Sequence, residues 1–228
     1  MPRLIAIIGV LSLIAFPLDA IAAERPGPSS PPAWPSDIDP RSGFRLPLPR
    51  REDLDEYGQK TFDRGATPGA NIAGLQGPAG IQLHSPWATH QLSILSKYLR
   101  DEAGFSPRVR EIAFLTTSRE MDNQFEWTAH EPVALKVGVS STVIDVIKFK
   151  KSTEGLEDSD AVIIDLGRQI WTSHQVDTAT FAKAHGLFGS RMLIDLVLLM
   201  GHHATIAALL TTVDMQLHKG REPLLPKL

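Results

Sequence analysis

Arg110-Glu111-Ile112-Ala113-Phe114-Leu115, followed shortly by Phe125-Glu126-Trp127-Thr128-Ala129-His130-Glu131-Pro132, carries the strongest structural signal in the chain. Both segments read as helix. Glu126 and His130 stand four residues apart, about one helical turn, so their side chains leave the same face. The next members of that stripe, Val133 and Val137, are apolar. The acid and the imidazole therefore sit on a face that expects burial, where a lone charge is costly. Buried, paired ionisable groups build active sites and structural networks alike, so the pair alone does not decide function.

Working outward, helix signals follow one another with little strand signal between them. Ser85-Pro86 opens a helix through Leu99, since Ser is a good cap and Pro suits the first turn. Ser106-Pro107 opens the next, through about Ser118; Asp122 caps a third, ending before Gly138, a left-handed stop. Further helices are predicted from Ser140 or Ser141 to Lys148, from Ser159 to about His174, from Asp177 to near Gly186 and from Ser190 to about Met215. An earlier one runs from Asp53 to about Arg64, and the Gly-rich interval up to Gly80 reads as a surface loop. Short connections of this kind predict a compact all-α domain. Within the last helix, Met192 to Met200 is apolar nearly all round, as in a central helix or one buried in an oligomer interface. Asp195 and the His202-His203 pair argue against a membrane span.

The ends read differently. Met1-Pro2-Arg3, the apolar run Leu4 to Leu18 and the small-x-small Ala20-Ile21-Ala22 form a secretory signal, residues 1–22, cleaved near Ala22 or Ala23. The run is short and holds Pro17, which disfavours a permanent anchor and predicts a secreted or periplasmic protein. Residues 23–51, rich in Pro, Ser and Arg, read as a disordered tether, residues 52–218 as the domain and 219–228 as a tail. A net charge of -3 with no basic run excludes nucleic-acid binding through phosphate neutralisation. Zero cysteine excludes disulfides, thiol peroxidase chemistry and a Cys nucleophile.

Three residues are candidates for chemistry. Glu126 paired with His130 would raise the imidazole pKa and fix its tautomer, leaving one nitrogen to carry a proton. Glu111 would share their pocket as a second proton carrier. The plainer alternatives are a helix-face pair of Glu111 with Arg108, and a surface Glu126–His130 pair contributing only ~0.2–0.5 kcal/mol. Pro132 bends its helix by removing the bond to the Thr128 carbonyl. Trp127 points away from the acid–imidazole face and is read as packing. His202 and His203 leave their helix about 100° apart, so at most one can join Glu126 and His130 on a metal ion. No H-E-x-x-H spacing occurs, and no metal site is expected.

These residues resemble the carboxymuconolactone decarboxylase family, which includes alkylhydroperoxidase D. The matching pieces are Leu75 to Pro86, Arg110-Glu111-Ile112-Ala113, Glu126-Trp127-x-x-His130 and Leu196 to Gly201. In the peroxidase branch a Glu precedes a C-x-x-C pair and a His. Those positions fall here on Glu111, on Asn123 and Glu126 in place of the thiols, and on His130. The Cys-free branch fits better. It implies an all-α, alkylhydroperoxidase D-like subunit that assembles as a homotrimer or homohexamer and removes CO2 from an unsaturated lactone acid without a cofactor. His202 and His203 replace residues that are often aromatic in that branch, which implies a more polar, substrate-binding wall. The expectation is a small-molecule enzyme with His130, Glu126 and Glu111 as proton carriers, performing decarboxylation or isomerisation. A Cys-free peroxidase and a non-catalytic binding or assembly protein on the same scaffold remain the alternatives.

Overall fold

The structure, a computed structural model, describes residues 34–69 and 73–228. The signal segment and the first part of the expected tether lie outside them. Among the described residues there is helix and no strand. In order, the helices are α1 (Glu56–Ala66), α2 (Pro78–Gln82), α3 (Pro86–Lys97), α4 (Pro107–Glu120), α5 (Gln124–Lys136), α6 (Ser141–Lys148), α7 (Asp158–Arg168) and α8 (Thr178–Thr212). Two of them, α3 and α7, widen at their C-terminal ends into π-helical turns, Tyr98–Glu102 and Gln169–Ser173.

The organising element is α4. Every residue from 111 to 119 on it is buried, because α5, α6, α7 and α8 all pack around it. Such a helix can carry hydroxyls only if they are bonded. Thr117 donates to the Ala113 carbonyl at 2.9 Å and Ser118 to that of Phe114 at 2.8 Å. Close approach is set by Gly167 on α7. A Cβ there would lie 2.6 Å from Thr116 Cγ2 and 2.8 Å from Met200 Cε, so α7 nests against α4 and α8 only without a side chain.

Three predicted helix starts carry the expected caps, whereas Ser85 precedes α3 without a side-chain cap bond and α7 begins at Asp158, ahead of the predicted Ser159. Ser106 accepts from Val109 N, Ser140 from Val143 N and Asp177 from Thr180 N. Helix α5 is capped one residue later than expected, by Asn123, which accepts from Glu126 N at 3.0 Å. Asp122 instead takes a left-handed φ of 48° and pairs with Arg119. The break between the last two predicted helices falls at Gly189 (φ 68°, ψ 171°), a conformation that needs glycine, so α8 is two helices, 178–188 and 190–212, joined at a kink.

Three expectations change. The tether does not reach residue 51. Phe44 is fully buried, Arg45 N donates to the Val213 carbonyl and Gln216 N to that of Gly43, so one aromatic residue pins this Pro-rich strap to the end of α8. The tail, too, is tied down, with Leu225 in the main core and the Pro226 carbonyl accepting from Arg119 at 2.8 Å. The Gly-rich interval contains α2, which packs on α8 and buries Ile81. By length and composition α8 is apolar enough to cross a membrane, but half of its most apolar window is buried inside this domain. Its buried Asp195 accepts from Tyr98 at 2.9 Å and pairs with Arg191 at 2.7 Å.

Candidate active site

The site forms where α4, α5 and α8 meet. The α5 cap sets its register: Asn123 caps Glu126 and also donates from Nδ2 to the Ala207 carbonyl at 3.0 Å, tying the start of α5 to α8. One turn further, His130 faces back toward α4. Its Nδ1 lies 2.7 Å from Glu111 Oε2, and its Nε2 lies 3.4 Å from Glu126 Oε2. The closer carboxylate, the one that holds the ring, is thus Glu111 rather than Glu126. Glu111 does not pair with Arg108, which instead grips Asp160 through both guanidinium nitrogens at 2.5 Å.

Of the adjacent histidines on α8, His203 turns inward. Its Nε2 is 3.0 Å from Ser118 Oγ and 3.5 Å from the same Glu126 oxygen. Because the Ser118 hydroxyl is donated to the Phe114 carbonyl, the pair is satisfied when His203 Nε2 carries the proton. Glu111, Glu126, His130 and His203 are all buried. The Phe114 ring is the floor beneath them, with its centroid 5.0 Å from that of His130 and 4.6 Å from that of His203. Trp127 is fully buried and donates from Nε1 to Glu131, so it is packing.

The electrostatics separate the two inward histidines. Burial works against a charged His130, but the Glu111 and Glu126 carboxylates overcome it and raise its pKa to about 9. His203 is pushed down to about 3 by its burial, which the nearby Glu126 does not offset. Burial pushes the Glu126 carboxyl up, yet the positive groups around it, His130 and Arg100 among them, hold it below the usual range. At neutral pH the cluster holds an imidazolium beside a carboxylate, with a neutral imidazole next to both.

Against this cluster lies a cavity of about 160 Å³ whose wall includes Gln82, Arg100, Glu126, His130, His202 and His203. It shares Gln82, Ser96, Arg100 and His202 with a wider cleft of about 580 Å³ along α3. The predicted Glu111, Glu126, His130 and His203 therefore converge, and His202 lies apart from them at the throat. Sequence reasoning missed Arg100, Phe114 and Ser118, and placed Asn123 only where a thiol would stand rather than as the cap of α5. Arg100 carries no local signal, since Lys97 to Glu102 reads as an ordinary charged helix end. Phe114 sits in an apolar run whose members look interchangeable.

The arrangement can move a proton between Glu126, His130 and a molecule in the cavity. It could also hold a cation: Glu126, His130 and His203 each offer one ligand atom, all within 4.8 Å of one another, a donor set that suits divalent metals. The sequence offered one of His202 and His203 as the third donor beside Glu126 and His130; that it is His203 depends on how α8 is turned against α5.

No family model matches the sequence, and no curated protein matches it. Among solved structures, the chain is similar to the alkylhydroperoxidase D core of an uncharacterized peroxidase-related protein from Ralstonia eutropha JMP134, with a TM-score of 0.62 and 15% identity. The match covers 79% of this chain and 98% of that one. The fold is thus alkylhydroperoxidase D-like, in a chain with no cysteine.

Proposed function

We propose that the protein is an exported, cofactor-free small-molecule enzyme of the carboxymuconolactone decarboxylase type, moving a proton on an unsaturated acid or lactone in decarboxylation or isomerisation. The observation that carries this reading is His130: it is held at Nδ1 by Glu111 at 2.7 Å, next to Glu126, in the wall of a cavity. A purely structural network would cap each charge and leave no space beside it. Here Nε2 of His130 is the proton-carrying atom, Glu111 fixes the tautomer and Glu126 exchanges the proton. The leader sequence supports export. Thiol peroxidase chemistry has no thiol to run on. The test is a screen of unsaturated acids and lactones for CO2 release and double-bond migration. Turnover that His130→Gln abolishes supports the reading; no turnover on any of them, or turnover that His130→Gln retains, overturns it.

A second reading rests on the convergence of Glu126, His130 and His203: a metal-assisted enzyme at the same site. Activity that a chelator removes and a divalent metal restores would select it over the first. The outer face of α8, where Ile194 and Leu198 are 59% and 43% exposed, supports assembly as a homotrimer or homohexamer. Light scattering giving a strict monomer overturns that part.

A further inference from the structure

We propose that the throat of the cavity is a carboxylate-binding subsite built on Arg100, so that a ligand enters with its uncharged end inward and its carboxylate outward. This rests on reading the cavity as the place where a small molecule binds. Arg100 is exposed along its length, but its guanidinium turns inward, with Cζ 4.7 Å from the centroid of the buried Phe114 ring. The same ring also packs against His130 and His203. Among the described residues the guanidinium makes no hydrogen bond or close ion pair and feels the Glu111 and Glu126 carboxylates only at a distance, whereas Arg45, Arg50, Arg51, Arg108 and Arg119 each have an acidic partner in contact.

Arg100 has company. His202 lines the same throat, and its buried Nδ1 has no hydrogen-bond partner among the described residues. Gln82 and Ser96, which complete the constriction shared by the cavity and the cleft, make no side-chain hydrogen bond among the described residues either. Four hydrogen-bonding side chains, left open around one constriction and including a fixed cation, form a site for a polar anionic group. A guanidinium presents a planar fork that matches a carboxylate through two parallel bonds.

The inner end is the wrong place for that anion. Glu126 lines the chamber and Glu111 lies directly behind His130, so a second carboxylate there would meet like charge. The chamber is also small. A space of ~150 Å³ holds a benzene-sized group, which sets the inward part of the ligand at about that size. The ligand class is therefore a monocarboxylate whose neutral, ring-sized or short unsaturated part meets His130 while its carboxylate stays on Arg100.

The experiment compares binding of benzoate, cinnamate and sorbate with that of their neutral amides, by calorimetry on the full mature chain. Wild-type protein is expected to favour each acid over its amide by at least about tenfold. Arg100→Gln should lose that preference while amide affinity stays constant, and Arg100→Lys, which keeps the charge without the fork, should fall between them. Equal binding of acid and amide, an unchanged preference in Arg100→Gln, or no binding of any acid overturns the subsite. Acids that bind through Arg100 but are not turned over would leave the subsite standing and count against the proton-transfer reading alone.

Discussion

The two walls of the cavity are built on opposite principles. On the inner wall, Glu111, Glu126, His130 and His203 are buried and tied to one another, with Ser118 and Asn123 fixing their positions. On the outer wall, Arg100, His202, Gln82 and Ser96 are polar and make no side-chain hydrogen bond among the described residues. The inner wall is assembled by α4, α5 and α8, the most tightly packed part of the fold; the outer wall is carried mainly by α2 and α3. A group that must keep one tautomer needs neighbours that cannot move, whereas a group that must greet a ligand has to leave its hydrogen-bonding capacity unspent.

Substitutions on each wall put this contrast to the test. The largest expected effect is at His130: His130→Gln should fold with a similar circular dichroism spectrum and lose ~10²–10⁴-fold in turnover on whichever substrate the screen identifies. Next, Glu111→Leu removes one partner of a buried pair and should destabilise the protein by ~3–5 kcal/mol in chemical denaturation; an effect below ~1 kcal/mol would mean that Glu111 is not ionised or not paired. Gly167→Ala tests the packing behind the inner wall. Overfilling a core of this kind costs ~1–3 kcal/mol, and a melting temperature equal to wild type would show that Thr116 and Met200 give way freely.

The histidines give a pH test on metal-free protein. His130 has a folded pKa raised to about 9. Its contribution to stability is complete below the unfolded value near 6.5 and is lost as pH rises through about 9. His203, with a folded pKa near 3, is buried neutral, so the unfolded chain takes up the proton more readily. Its neutral burial penalises the fold progressively as pH falls from about 6.5 toward 3. Melting temperature against pH should therefore have an alkaline limb that His130→Gln flattens and part of an acid limb that His203→Gln flattens. The reverse assignment would overturn the electrostatic picture. The smallest effect belongs to the outer wall: Arg100→Gln should change stability by no more than about 1 kcal/mol, because its guanidinium makes no hydrogen bond or close ion pair among the described residues and acts on Glu111 and Glu126 only through its charge.

The same division explains what the sequence disclosed. Glu126 and His130 were legible because four-residue spacing on one helix is a local fact, and the caps at Ser106, Ser140 and Asp177 were legible for the same reason. That His203 and not His202 completes the cluster depends on how α8 is rotated against α4, which no local pattern states. Arg100 enters the site because α3 ends in a π-helical turn, and Lys97 to Glu102 contains nothing that specifies one. The strap at residues 34–51 was misjudged because composition averages over a segment, while Phe44 acts as a single anchor. The central position of α4 was hidden by its hydroxyls and charges, which made α8 look the more buried helix.

Gly167 also bears on how such a protein can be bred for new work. With no room for even a methyl group between Thr116 and Met200, the back of the chamber resists remodelling by gradual steps. The front does not: Gln82, Ser96 and Arg100 belong to a segment that packs on α1 and α8, away from the α4–α7 seam. A lineage, or a directed-evolution campaign, exploring new ligands would accumulate its productive substitutions along α2 and α3. The acid–imidazole machinery would be inherited unchanged behind them.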